Sequence, residues 1–459
     1  MSRDFLLRTL SAAALAASFG PSAFAASTLN GGGATSPYGD YAGPNNSKGQ
    51  PTSELSTYNA STTGAVFGTY WSVGSTGQTA FLNNDLTCDI NYITGNNGGK
   101  CSNTPGGADT VHYNFSDSAL SSSSIGIWST SSWGQSAAGN LIQIPALGTG
   151  EAIVVNDTNI TANGQLELSD NDLCEIFSGG YTDFSQITDS GTAPAAGAFK
   201  FVYRNDGAAT TFIITSHLTQ VCNASNTGNG LTFTPTTTFA SLFPGGNPNA
   251  DIPNAVGEKG NLGVANYIAG LSSGTIPQAL GYVSPDWTSL PPSPDSFLSN
   301  GLRSPLLVAA LFNGKTAYLP TATNLTLGLD HVSVVAPGSP TNPPSTAAEG
   351  ANPANWIPII RATSAGYPIV AYGTLELAQC YSDKTISAAL IAFLDDHYGS
   401  AAYKKIQKNN GLVGISKTKG ASFLTAVKDH ILANISSKKS PAWNIDIGDA
   451  TACAGLPGR

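Results

Sequence analysis

Three features of the sequence predict an α/β fold built on mainly parallel sheets flanked by helices. Short β-rich runs alternate with helical periodicity, the order a parallel sheet requires because each crossover must pass over a face. The helical stretches carry their own start and stop residues. Hydrophobic residues make up 41% of the chain, enough to bury a core, whereas only 11% are charged against about 25% in an average domain. The surface must therefore be covered by Ser, Thr, Asn and Gly. A length of 459 residues allows roughly two to four domains.

At the start, Arg3 and Arg8 flank an apolar run over 10–17 that ends at Ala23-Phe24-Ala25, the pattern of a cleavable export signal over 1–25. The chain is expected to be periplasmic or secreted, without a lipid anchor because no Cys lies near the cleavage point. Strands are expected at 152–155, 199–203 and 368–372. A helix should follow Ser169, since Asp172 stands three residues on, Leu173, Ile176 and Phe177 form one apolar stripe, and Gly179 supplies a stop. A second should run over 382–399 with Ile386, Ala389, Leu390, Phe393 and Leu394 on one face. Residues 83–109, rich in Asn and Gly, and 285–350, rich in Pro, read as irregular surface insertions.

With 20 basic and 29 acidic residues the net charge is -9, which argues against nucleic-acid partners because they require a basic face. Between 117 and 290 there are 13 acids and only Lys200, Arg204 and Lys259 to oppose them. Arg204 therefore stands out. Cys88, Cys101, Cys174, Cys222, Cys380 and Cys453 are an even set in an exported chain, and sequential pairing is expected because each neighbouring pair closes a local loop. No C-x-x-C occurs and the five histidines are scattered, so no metal is expected.

Gly270-Leu271-Ser272-Ser273-Gly274 matches a nucleophile elbow, but a helix is expected before it at 264–269 and a strand after it at 280–283, the reverse of what an elbow needs. Four other segments combine tight turns with hydroxyls or a charged group: Gly31 to Pro37, Gly74-Ser75-Thr76-Gly77, Asn114 to Ser118, and Arg204 to Thr211. In the last, a strand ending at Arg204, a turn at Asp206-Gly207 and a helix start over 208–210 would aim free N–H groups at one spot, an anion site. The alternative is an ordinary cap, with Asp206 capping the helix and paired to Arg204.

The order and residues of these four segments resemble the periplasmic phosphate-binding proteins of ABC-type phosphate importers, the PstS type. That resemblance implies a two-lobed periplasmic-binding-protein fold (type II-like), with the ligand in the cleft between lobes at 27–118 plus 300–459 and at 119–299. It implies a monomeric binding protein with no cofactor, not an enzyme, whose partners are inorganic phosphate and a membrane permease; a secreted phosphate binder uncoupled from an importer is the alternative. By position, Thr35 and Ser75 offer hydroxyls, Ser36 its N–H, Arg204 a charged fork paired with Asp206, and Gly207, Ala208, Ala209 and Thr210 the helix-start donors. Asp117 would accept a proton from the ligand, which phosphate carries and sulfate lacks. Ala208 and Ala209 replace the family's Ser and Gly, deleting one hydroxyl donor, and the hydroxyl of Ser36 is a candidate replacement.

Overall fold

The computed structural model describes residues 27–43, 52–74, 76–85, 110–156, 165–189, 194, 196–272, 278–291, 298–301, 304, 306–335, 343–357, 359–415, 420–432 and 443–459. The export signal, Ser75 and the expected Cys88 to Cys101 pairing lie outside the described residues. In chain order the strands are β1 (Thr28–Gly33), β2 (Val66–Ser72), β3 (Tyr113–Ser116), β4 (Leu141–Gly150), β5 (Ala152–Asn156), β6 (Glu167–Ser169), β7 (Lys200–Arg204) and β8 (Ala255–Glu258). They continue with β9 (Ala279–Val283), β10 (Leu307–Val308), β11 (Ala310–Phe312), β12 (Ala317–Tyr318), β13 (Val332–Val335), β14 (Ile359–Thr363), β15 (Val370–Ala378) and β16 (Val413–Gly414).

Two sheets organise the molecule, in the orders β16-β4-β15-β3-β1-β2 and β10-β5-β9-β7-β8. Each is mixed. In the first, β1 runs parallel to β2 and β3, while β15 is antiparallel to β3 and β4. In the second, β7 runs parallel to β8 and β9, while β5 is antiparallel to β9 and β10. The parallel halves are the βα units that the alternation predicts; the antiparallel halves come from strands that pass from one sheet to the other. Glu151 alone separates β4 from β5, so the chain changes sheet at that residue.

This crossing revises the expected boundaries. β4 falls in the segment 119–299 assigned to the second lobe, yet it pairs with β15 of the first sheet from Leu141 opposite Ala378 to Gly150 opposite Val370. All ten of its residues are buried, so no alternation of polar and apolar residues marks which sheet it joins. Leu307 and Val308 pair with Val155 and Val154 of the second sheet although they lie beyond 300. Nor is 285–350 a structureless insertion: it supplies β10 to β13 and a helix, Ala322–Asp330, whose Leu325 and Leu329 are fully buried.

The local signals are otherwise met. The helix Asp170–Ser178 opens on Ser169, whose Oγ accepts the Asp172 N–H at 3.0 Å while the Asp172 carboxylate accepts the Ser169 N–H at 2.8 Å, and Gly179 closes it at a φ of 86°. The helix Lys384–Gly399 begins one residue after Asp383, which caps it. Cys174–Cys222 and Cys380–Cys453 are bonded as expected, each within one half of the molecule. Phe177, Phe201, Phe239 and Tyr282 pack the second half against its sheet; Tyr58, Phe67 and Phe393 pack the first.

One ion pair is buried in that first core. His397 donates to Glu54 at 2.5 Å from Nδ1 and to the Ala146 carbonyl at 2.9 Å from Nε2, and Gln407 donates to the other Glu54 oxygen at 2.7 Å. Burial opposes the imidazolium, but the Glu54 carboxylate outweighs it and raises His397 above its usual value. Its contribution is complete below about pH 6.5 and is lost as pH rises through the raised folded value. Glu54→Ala should destabilise the chain by about 3–5 kcal/mol at pH 6, because it strands a buried cation. Urea unfolding measures this; a loss under about 1 kcal/mol would mean the pair holds nothing together.

Candidate functional site

The candidate residues lie on the turns that leave the C-terminal ends of the parallel strands in both sheets. From the first sheet comes the segment after β1. Gly32 and Gly33 sit so close to β2 and β3 that a Cβ would fall 2.2 Å from the Trp71 carbonyl oxygen and 2.0 Å from that of Phe115, and Gly33 has a φ of 133°. The Ala34 N–H donates to the Phe115 carbonyl at 2.8 Å, and the Tyr70 hydroxyl donates to the Ala34 carbonyl at 2.8 Å. Thr35 and Ser36 are thereby held, both buried, beside the end of β3.

There Ser36 Oγ donates to Asp117 Oδ2. Burial pushes the Asp117 carboxyl up, and this hydrogen bond draws it part of the way back, to about 6. The Ser36 hydroxyl therefore serves Asp117 and does not replace the donor missing at Ala208. Gln78, in the helix Thr76–Asn83, donates to Ser116 Oγ at 3.1 Å and to the Ser118 carbonyl at 2.9 Å, which ties the helix next to Ser75 to the Asp117 loop.

From the second sheet comes Arg204, the last residue of β7 and only 3% exposed. Its Nε and Nη2 donate to the two Asp206 oxygens at 2.7 and 2.6 Å, and Nη1 donates to Thr210 Oγ1 at 3.1 Å and Asn261 Oδ1 at 3.0 Å. Four of the five guanidinium N–H groups are thus used, and one on Nη2 is left. Burial would raise Asp206, but Arg204 and the Gly260 N–H hold it below the usual carboxylate range. Asp206 is therefore paired as expected but does not cap the helix Ala209–Val221, whose N-cap is Ala208. The Ala208 N–H is donated to the Thr237 carbonyl at 2.8 Å, which removes it from the expected donor set. Ala209 and Thr210 open the helix, where N–H groups have no partner within it.

A cleft of about 850 Å³ opens between the halves, lined among others by Asp117, Leu120, Phe212, Ile213, Val370 and Tyr372. Asp117 is part of its wall; the Arg204–Thr210 pair is not. Sequence reasoning missed three residues here. Asn261 bridges Arg204 to Ser284 by donating to its Oγ at 2.8 Å. Glu151 is 1% exposed at the sheet crossing, near enough to Asp117, Asp286 and Arg204 to feel their charges. A lone acid between two apolar strands was its only signal in the sequence.

Two α/β halves joined by crossing strands, with Asp117 on the wall of the cleft between them and a buried arginine network at a strand end of the second half, define a bilobal solute-binding protein. Residues 52–335 match the PBP superfamily domain, and the chain belongs to that superfamily. It is 31% identical to alkaline phosphatase L of Pseudomonas aeruginosa strain UCBPP-PA14, over 98% of each chain. It is 30% identical to a phosphate-binding protein from an unknown prokaryotic organism, over 87% of this chain and 95% of that one. Among solved structures, a phosphate-binding protein from Stenotrophomonas maltophilia superposes with a TM-score of 0.66 at 27% identity, covering 95% of this chain and 100% of that one. A high-affinity periplasmic phosphate-binding protein, PfluDING, solved with phosphate bound, gives the same TM-score and identity over 94% and 99%.

Because the Ser36 hydroxyl stabilises the ionised form of Asp117, Ser36→Ala should raise the Asp117 carboxyl above about 6. An NMR titration of aspartate-labelled protein measures the change; an unmoved or lowered value would show that the hydroxyl does not act on the carboxylate.

Proposed function

We propose that the chain captures one inorganic phosphate ion between its two halves and delivers it, as an exported binding protein, to the permease of an ABC-type phosphate importer. The observation that carries this reading is that the strand ends of the two halves carry complementary units, Ser36–Asp117 after β1 and β3 and Arg204–Thr210 after β7. One side offers an acceptor and the other a fixed positive charge, the two demands of an oxyanion that still bears a proton. The relatives named as phosphate-binding proteins, one of them solved with phosphate bound, support it.

Thr35, the Ser36 N–H and Ser75 would bind from the first lobe. The second would contribute Arg204, the Thr210 hydroxyl, whose oxygen already accepts from Arg204, and the N–H groups of Gly207, Ala209 and Thr210. In this reading the lobes follow the sheets, with Glu151 on one of the crossings, and closure brings Arg204 toward Asp117. Binding is the proposed activity, not catalysis.

A second reading is favoured by one contact and one kinship. The Ser36 hydroxyl already points its proton at a carboxylate, and the chain is 31% identical to a protein called alkaline phosphatase L. Ser36 Oγ would then attack the phosphorus of a phosphate monoester while Asp117 takes its proton and the P–O bond to the alcohol breaks, and water would hydrolyse the phosphoserine to free Ser36 and inorganic phosphate. Release of p-nitrophenol from p-nitrophenyl phosphate, abolished in Ser36→Ala, would establish it; phosphate binding with no turnover leaves the first reading standing alone.

Calorimetry on phosphate-free protein should give a 1:1 complex, and Arg204→Lys, which keeps the charge but not the fork, should weaken it at least about tenfold. Absence of heat with phosphate would overturn the assignment. Asp117→Asn should raise sulfate affinity relative to phosphate, because an amide can donate and carries no charge to repel sulfate. In the wild type the same preference for phosphate should shrink as pH falls below about 6, where Asp117 gains its proton. Competition titrations across pH 5 to 8 read both effects, and a constant ratio would exclude Asp117 from ligand discrimination.

A further inference from the structure

Glu151 is a buried acid at the sheet crossing that the phosphate reading leaves unused. It is the single residue between β4 and β5, and its N–H donates to the Ile369 carbonyl at 3.4 Å just before β15 begins, so both crossing segments meet at it. Because Ala152 pairs with Val283, Glu151 stands beside Ser284 at the edge of the second sheet. Ser284 accepts from Asn261, and Asn261 accepts from Arg204. Glu151 thus shares an edge with the arginine network. Its side chain is buried, and Oε2 has no hydrogen-bond partner.

The charges around it are unbalanced. Asp117 faces it from the end of β3, Asp286 from the turn after β9, Arg204 from the end of β7 and Tyr367 from the segment before β15. Only Arg204 is a cation, and its fork is occupied by Asp206. Burial is the largest influence on Glu151, and Asp117 and Asp286 add to it, so the carboxyl is held well above its usual value. An arriving oxyanion adds more negative charge and favours the proton further. A neutral carboxyl has what a carboxylate lacks, an O–H to donate.

We infer that Glu151 acts as a specificity-determining residue of the cleft, binding the oxyanion as a neutral carboxylic acid that donates the hydrogen bond left open by Ala208. The inference rests on the phosphate reading and deepens it. Sequence and geometry both point the same way: the helix start has lost its side-chain hydroxyl, the Ser36 hydroxyl is committed to Asp117, and Glu151 places a buried oxygen without a hydrogen-bond partner beside the arginine network. Uptake would then carry a proton with it, and binding would weaken in alkaline solution beyond what phosphate's own ionisation causes.

Phosphate titrations of the full mature chain, its Glu151→Gln variant and its Glu151→Ala variant from pH 5.5 to 9 test this. The Gln variant keeps a donor at every pH, so it should bind like wild type near pH 6 and increasingly better above it. The ratio of wild-type to variant Kd should climb by up to tenfold per pH unit once free Glu151 begins to ionise. The Ala variant should be weaker near pH 6 by about tenfold to a hundredfold. On the wild type alone, calorimetry in buffers of different ionisation heat should show proton uptake on binding at alkaline pH, reduced in the Gln variant. A ratio that stays flat with pH, or an Ala variant that binds as wild type does, overturns the role of Glu151. Wild type that binds no phosphate overturns the phosphate reading, and this inference with it.

Discussion

Burying the guanidinium of Arg204 at the end of β7 is the constraint around which the site is arranged. A cation that is 3% exposed must be neutralised and hydrogen-bonded at once, because desolvation alone would cost more than the fold can supply. Asp206 satisfies both demands with two bonds, Thr210 and Asn261 take the opposite edge, and Tyr282 fixes the strand end by accepting the Arg204 N–H at 3.2 Å. These partners come from the turn after β7, the helix Ala209–Val221, the helix Gly260–Ile268 and β9. One buried charge therefore orders most of the second half's cleft edge.

The first half is built on the opposite sign. Asp117 and Glu151 are carboxyls in poorly solvated positions, each pushed toward its neutral form by burial. An anion entering such a place meets one fixed cation and two groups whose charge depends on protons. Under the proposed site, selectivity among tetrahedral oxyanions would follow from which of them brings a proton or lets the protein keep one.

Much of this was legible from residues alone, in the places where one residue type has one physical use. Ser169, Asp172 and Gly179 bracket a helix because no other arrangement satisfies its ends so economically, and Arg204 was conspicuous as a lone cation in an acidic stretch. The disulfides at Cys174 and Cys380 followed from neighbouring spacing. Where a residue has several uses, the sequence was silent. β4 is buried throughout, Gln143 and Thr149 included, so no polar face in it tells which sheet it joins. Proline-rich 285–350 hid β10 and the helix containing Leu325 and Leu329, because prolines mark segment ends as readily as loops. The Ser36 hydroxyl, a candidate replacement donor, and the Ala208 N–H, an expected one, both have protein partners, Asp117 and the Thr237 carbonyl. Such competition is tertiary and leaves no trace in local pattern.

The central claim is that a single oxyanion is gripped from both sheets at once, and a crystal structure of the chain grown with phosphate tests it most directly. The account predicts one tetrahedral ion with an oxygen within hydrogen-bond distance of Asp117 and another within reach of the Arg204–Thr210 edge, the two halves drawn closer around it. An ion bound to one sheet only, or seated away from Asp117 and Arg204, would contradict it.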